Sequence, residues 1–180
     1  MTEGNAPLFA TARTGCTSAS EPLPGPTGQD KHKKEKTMST KQNKAAARRI
    51  YDECFSKGNL AAIDELFDPG YIDHSPTIPN QPQGAVGFRQ VVTTFRHTFP
   101  DLHFTVEDVV AEGDEVVARF NATGTDTGGF MGMPATGRGG SPVAGIDVLR
   151  FANGKVAERW GVVDFLSLMQ QLGLVPAPGQ

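Results

Sequence analysis

Three carboxylates and the chain's one tryptophan fall in a single short stretch, Ser141 to Asp164, SPVAGIDVLRFANGKVAERWGVVD. Asn153-Gly154 divides two segments rich in β-branched and aromatic residues. Asn-Gly is favoured where both central residues of a turn need positive φ, so the stretch predicts a β-hairpin. With a two-residue loop, Phe151 faces Val156, Leu149 faces Glu158 and Asp147 faces Trp160. Side chains alternate along a strand. One mostly apolar face then carries Gly145, Asp147, Leu149, Phe151, Val156, Glu158, Trp160 and Val162. Ile146, Val148, Arg150, Ala157, Arg159, Gly161 and Val163 belong to the other. One bulge would move Asp147 relative to Trp160.

A carboxylate on an apolar face needs a partner, a proton or water, because burying it bare is costly. Desolvation also lifts its pKa toward the operating pH, where a general base works best. Asp147 is therefore the expected base. His74 or Asp73, in the extended segment Tyr71–Pro76, is expected to orient a carbonyl, and Trp160 to stack on a planar substrate. Plainer roles fit the same residues. Asp147 suits a structural ion pair with Arg119 or Arg159 equally well. Trp160 suits the core, His74 a turn before Ser75-Pro76, and Asp164 a helix N-cap.

The elements that would position these groups follow from periodicity and punctuation. Ser39 or Thr40 can cap a helix through Lys57, with Ala46, Ile50, Cys54 and Ala47, Tyr51, Phe55 at i, i+4 spacing. Gly58 closes it. Asn59 caps a short second helix, LAAIDELF, which Pro69-Gly70 stops. The loop TIPNQPQ reads as a surface excursion. Ala85 to Phe99 predicts a third helix, with Val86, Phe88, Val91, Val92, Phe95 and Phe99 as its apolar stripe and Pro100 at its end. Leu102–Ala111 and Glu115–Thr125 predict a hairpin around Gly113-Asp114, in which Asp108 faces Arg119. A Gly-rich stretch and the opening hairpin follow, then a last turn of helix from Asp164. Helices segregated from strands indicate an α+β fold. A sheet bent around a long helix would enclose a cavity.

Composition narrows the function classes. The 180 residues include 17 Lys and Arg against 20 Asp and Glu, without the basic excess of a nucleic-acid surface. No apolar run nears the ~18 residues of a membrane span. Cys16 and Cys54 are far apart, CxxC is absent and the N-terminus has no apolar signal stretch, which fits a reducing, cytoplasmic location. Residues 1–38 are rich in Pro, Gly, Ser and Thr with a basic cluster, Lys31–Lys36, and are expected to be a disordered extension. The expected domain is 39–173, with a loose tail over 174–180.

Several motifs are rejected. GMPATGR (Gly132–Arg138) has Arg for the lysine of a phosphate-binding loop and precedes a strand rather than a helix. No GxSxG or HExxH occurs. Asp73, His74 and Asp147 lack the local spacing of a metal site, so no metal is expected.

Three stretches, FDPGYIDHSP (Phe67–Pro76), GTDTGGFMGMPATGR (Gly124–Arg138) and IDVLRFANGKVAERWGVVDF (Ile146–Phe165), in this order and spacing, resemble the SnoaL-like polyketide cyclases. These ester cyclases lie within the nuclear-transport-factor-2-like superfamily. The resemblance spans roughly Ser39 to Gly173. It implies a cone-shaped half-barrel of strongly bent antiparallel sheet, with three helices packed over its concave side around a small-molecule cavity. It also implies cofactor-independent ring closure of an aromatic polyketide ester by intramolecular aldol condensation, driven by an acidic side chain. The implied ligand is a hydrophobic small molecule. The implied assembly is a homodimer through the outer face of the sheet. Tyr51, Phe130 and Met133 join Asp73, Trp160 and Glu158 as expected substrate-binding residues. The chain departs from the family pattern at three positions. The cyclase acid/base Asp lies just after Trp160, where this chain has Gly161. Asp126 and Asp147 stand where the family often has His. Gly161 can take no proton. Either another carboxylate serves, or the chain is a binding or dimeric interaction module that kept the cavity.

Overall fold

The computed structural model describes residues 39–177 and 179. The expected extension over 1–38, with Cys16 and the basic cluster, lies outside the described residues. Helix α1 (Thr40–Arg49) starts with a capping box: the Ser39 side chain accepts from the Gln42 N–H, and Gln42 Oε1 accepts from the Ser39 N–H at 3.0 Å. The helix reaches Ser56, near the expected end, but Ile50–Ser56 widens into a π-helix. The Lys57 N–H accordingly bonds the Asp52 carbonyl five residues back. Such widened turns recur at functional sites, and Tyr51 stands at the start of this one.

Helix α2 (Ala61–Leu66) begins after Leu60, without the side-chain cap expected of Asn59. Helix α3 (Gly84–Thr98) buries Phe88, Val91 and Val92, but Val86 is 68 % exposed. Val86 is two positions from Phe88, and residues two apart do not share a helix face. Asp164 caps helix α4 (Phe165–Leu172), accepting from the Ser167 N–H at 2.9 Å. Gly173 ends it in the left-handed conformation, φ 73°. Leu174 then packs back on the core beside Leu168 and Leu172.

Five strands make one open sheet: β1 (Phe67–Asp73), β2 (His103–Glu112), β3 (Glu115–Thr123), β4 (Val143–Ala152) and β5 (Lys155–Val163), in the order β1-β5-β4-β3-β2. Neighbours run antiparallel except β1 and β5, which run parallel. Those two strands are joined through α3 and the rest of the sheet, so no hairpin forces them antiparallel. The inner face of the sheet buries Val116, Leu149, Phe151 and Val156 against Ala47, Cys54, Ile63 and Val92 from the helical side. The β2–β3 hairpin keeps the expected register from its turn to Asp108, which lies opposite Arg119 with Nε to Oδ2 at 3.0 Å on the exposed face, and the pairing shifts by one residue between Asp108 and Val106.

The β4–β5 hairpin corrects the expected register. Asn153 and Gly154 have φ of 51° and 82°, as the tight turn requires, and Phe151 faces Val156. Arg150 then faces Glu158, so Ala157 is an extra residue in a bulge. Beyond it, Leu149 faces Arg159 rather than Glu158, and Asp147 faces Gly161 rather than Trp160. One extra residue sends every later side chain to the opposite face. Arg159 therefore turns inward and is 8 % exposed. Trp160 turns outward with Ile72, Ile146 and Val162, all exposed.

Candidate active site

Three charged side chains meet on the inner face where β1, β5 and β4 lie side by side. Arg159 of β5 sits between Asp147 of β4 and Asp73 at the end of β1. Its Nε and Nη2 lie 3.1 and 2.9 Å from Asp147 Oδ1. Its Nη1 donates to Asp73 Oδ1 at 3.1 Å and to the Ser75 carbonyl at 3.1 Å. The Tyr51 hydroxyl, from the start of the π-helical turn, donates to Asp147 Oδ2 at 2.8 Å. Asp73 is held further by its neighbours: Oδ2 accepts from Gln81 Nε2 at 2.8 Å and Oδ1 from the Ser75 N–H at 3.0 Å. Its backbone N–H donates to Gln83 Oε1 at 3.0 Å. All three charged groups are buried, so each needs the others to offset its desolvation.

Burial opposes the charge on Arg159, but Asp147 and then Asp73 outweigh it and hold the guanidinium charged well above the usual range. Burial pushes the Tyr51 hydroxyl upward, and the adjacent Asp147 charge adds to this. Tyr51 thus stays a neutral donor. Burial also raises the Cys54 thiol to about 12, which leaves it a core residue rather than a nucleophile.

Gly161 belongs to this cluster through what it lacks. A Cβ there would lie 2.1 Å from Asp147 Oδ1 and 2.4 Å from Arg159 Nη2. The ion pair fills the space a side chain would need.

Beside the cluster lies a cavity of about 70 Å³. Phe55, Phe88, Phe95, Phe99, Phe104, Phe120 and Phe165 line it, and the charged groups in its wall are Asp73 and Arg159. Asp147 is not in the wall; it backs onto Arg159.

Six of the eight expected site residues fall into two groups. Asp73, Asp147 and Tyr51 converge around Arg159, and the structural pairing of Asp147 with Arg159 is the one formed. His74, Glu158 and Trp160 converge on the opposite, outer face. The His74 ring stacks on Trp160 with centroids 4.4 Å apart and planes 5° apart. Its Nε2 lies 2.7 Å from Glu158 Oε2, and Glu158 also pairs with Arg150. Hydrogen bonds from Arg150 and then His74 hold the Glu158 carboxyl below its usual range. Asp73, His74 and Asp147 do not converge, since His74 points away from the two aspartates. Phe130 is buried and Met133 half-buried; Phe130 packs against Phe95, Phe99 and Phe165, behind the cavity wall. Asp126 is buried as the hub of the Gly-rich loop, accepting from the Gly129 N–H at 2.8 Å and from Thr136 N–H and hydroxyl at 3.0 Å each.

Sequence reasoning missed the inward Arg159 and the phenylalanine lining. It also missed Gln81 and Gln83, which brace Asp73 from a loop expected to be a plain surface excursion.

The family model for SnoaL-like polyketide cyclases matches residues 45–172, from the middle of α1 to the end of α4. The chain is a member of that family. It is 30 % identical to the aklanonic acid methyl ester cyclase DnrD of Streptomyces peucetius over 110 residues, 61 % of this chain and 72 % of that relative. The solved structure of TsrD from Streptomyces laurentii superposes with a TM-score of 0.69 at 28 % identity, covering 77 % of this chain and 99 % of TsrD. AclR from Streptomyces galilaeus, described as a candidate hydroxylase, superposes at 0.68 and 27 % identity over 79 % of this chain and 87 % of its own. SnoaL-like scaffolds thus come with more than one named chemistry, and the assignment for this chain has to come from its own site.

Proposed function

We propose that this SnoaL-like protein closes a ring in a hydrophobic, carbonyl-bearing small molecule by cofactor-independent acid/base chemistry, with Asp73 as the acid/base. The observation that carries this reading is that Asp73 is the carboxylate in the wall of a phenylalanine-lined cavity. Asp73 accepts a proton from a carbon activated by a neighbouring carbonyl. The electron pair left behind forms an enolate. The enolate carbon attacks a second carbonyl of the same molecule, a carbon–carbon bond forms, and the resulting alkoxide takes the proton back from Asp73. No co-reactant is consumed. Asp147, gripped by Arg159 and Tyr51, holds the arginine in place.

Aldol ring closure leaves mass unchanged, so it reads as a chromatographic shift at constant mass. Aklanonic acid methyl ester and smaller aryl β-keto esters are the compounds to try. Asp73→Asn is expected to lower turnover by about 10²- to 10⁴-fold, the usual share of a general acid/base. Full turnover by Asp73→Asn, with loss in Asp147→Asn, would move the base to Asp147.

A second reading, ligand binding without turnover, is favoured by Gly161, which leaves the family's acid position without a side chain. Saturable binding of the same esters with no product from any of them would select it.

A further inference from the structure

The cluster contains one more group suited to chemistry than the ring-closing scheme uses. Arg159 carries five N–H donors in a fixed planar fork. The edge made by Nε and Nη2 lies against Asp147 Oδ1, and the two hydrogens of Nη1 go to Asp73 and the Ser75 carbonyl. One Nη2 hydrogen has no protein acceptor among the described residues. The geometry of the fork puts it on the end edge, next to the Nη1 that holds Asp73. Both residues stand in the cavity wall.

From this we infer that Arg159 is a catalytic residue: its remaining Nη2–H receives the oxygen on which negative charge develops, while Asp73 beside it takes the proton. The inference rests on the ring-closing reading above and adds the group that stabilises the enolate. Charge is conserved across the step. Before proton transfer the negative charge sits on Asp73, and afterwards on the substrate oxygen, with the same guanidinium between the two positions. A preorganised donor in a water-poor site needs no rearrangement when the charge arrives. Asp147, Tyr51 and Gly161 are positioning elements. The first two clamp the Nε/Nη2 edge, and the third leaves room for it.

Naphthols graded in acidity test this without ring closure, since a naphtholate mimics an enolate and its absorption reports ionisation directly. Bound to the full chain, a naphthol is expected to ionise about 1–3 pH units below its free value, the shift typical of an opposite charge within contact distance. Arg159→Met should bind the same naphthol in neutral form. Arg159→Lys keeps the positive charge but replaces the fork by a point donor; its ionisation midpoint should move back toward that of the free naphthol. Tyr51→Phe, which loosens the clamp, should move it in the same direction by less. Near-ultraviolet circular dichroism confirms that each variant is folded. A wild-type protein that binds no naphthol, or binds all of them neutral, overturns the inference, as does an ionisation midpoint unchanged in Arg159→Lys. A protein that ionises naphthols but closes no ring in any ester retains the Arg159 assignment and counts against the cyclase reading instead.

Discussion

The two faces of the β4–β5 hairpin hold the same chemistry under opposite conditions. Inside, Arg159 pairs with Asp147 and Asp73. Outside, Arg150 pairs with Glu158, and His74 joins them. The inner arginine is 10 % exposed at its side chain and the outer one 34 %. Charges in the wet outer pair exchange water for each other at little net gain and are screened by salt. Those inside have given up water almost completely, so each depends on its partner. The outer set can be lost singly; the inner set stands or falls together.

Breaking the inner set should produce the largest effect. Arg159→Met leaves two buried carboxylates facing each other and is expected to cost about 3–5 kcal/mol, read from the urea midpoint. Gly161→Ala presses a methyl group onto Asp147 Oδ1 and Arg159 Nη2. It should cost about 1–3 kcal/mol, as overpacking does, and a crystal structure should show the guanidinium displaced. Tyr51→Phe removes one donor to Asp147 and should cost about 1–3 kcal/mol near neutrality. Its pH signature separates it from the others. The folded Tyr51 hydroxyl is held above its unfolded value near 10, so its stabilisation is complete below that pH and drains away as pH rises beyond it. Thermal melts of the wild type should therefore fall above pH ~10, and Tyr51→Phe should flatten that limb. Cys54, raised from 9.0 to about 12, adds to the same alkaline loss.

The outer face should answer to acid instead. Glu158 is held below its ordinary value of 4.5, so its contribution is present above that pH and lost as pH falls through the lowered folded value. Glu158→Gln should leave the melting temperature close to wild type at pH 7 and remove part of the acid slope. This is the smallest effect of the series, and added salt should shrink it further. A large loss at neutral pH from Glu158→Gln, or none from Arg159→Met, would erase the contrast between the faces.

Much of this fold was legible because local rules were obeyed. The capping box at Ser39, the helical spacing through Cys54, the Asn153-Gly154 turn and the pairing of Asp108 with Arg119 each follow from a few neighbouring residues. The site was only half legible, and the reason lies in the run Ala157-Glu158-Arg159. Glu158 and Arg159 are adjacent, so either register puts one charge inside, and periodicity has no preference between them. Alanine at 157 fits a strand or a bulge equally well. What decides is a contact remote in sequence: Asp147 is already inside, and β1 brings in Asp73. Two buried carboxylates select the guanidinium over the glutamate. Gln81 and Gln83 were illegible for a similar reason, since a polar loop discloses its partner only once folded. The phenylalanines were individually visible as core residues, but which of them border empty space is a property of packing.

The crowding at Gly161 also constrains how such a site can change over time. An aspartate cannot be added at position 161 to the present arrangement, because even a methyl group there meets Asp147 Oδ1 at 2.1 Å. Position 147 or 159 must shrink or turn away first, and that intermediate leaves a buried charge without its counterion. Substitutions at these three positions are therefore strongly non-additive. The route from a carboxylate at 147 to one at 161 therefore runs through a form of low stability.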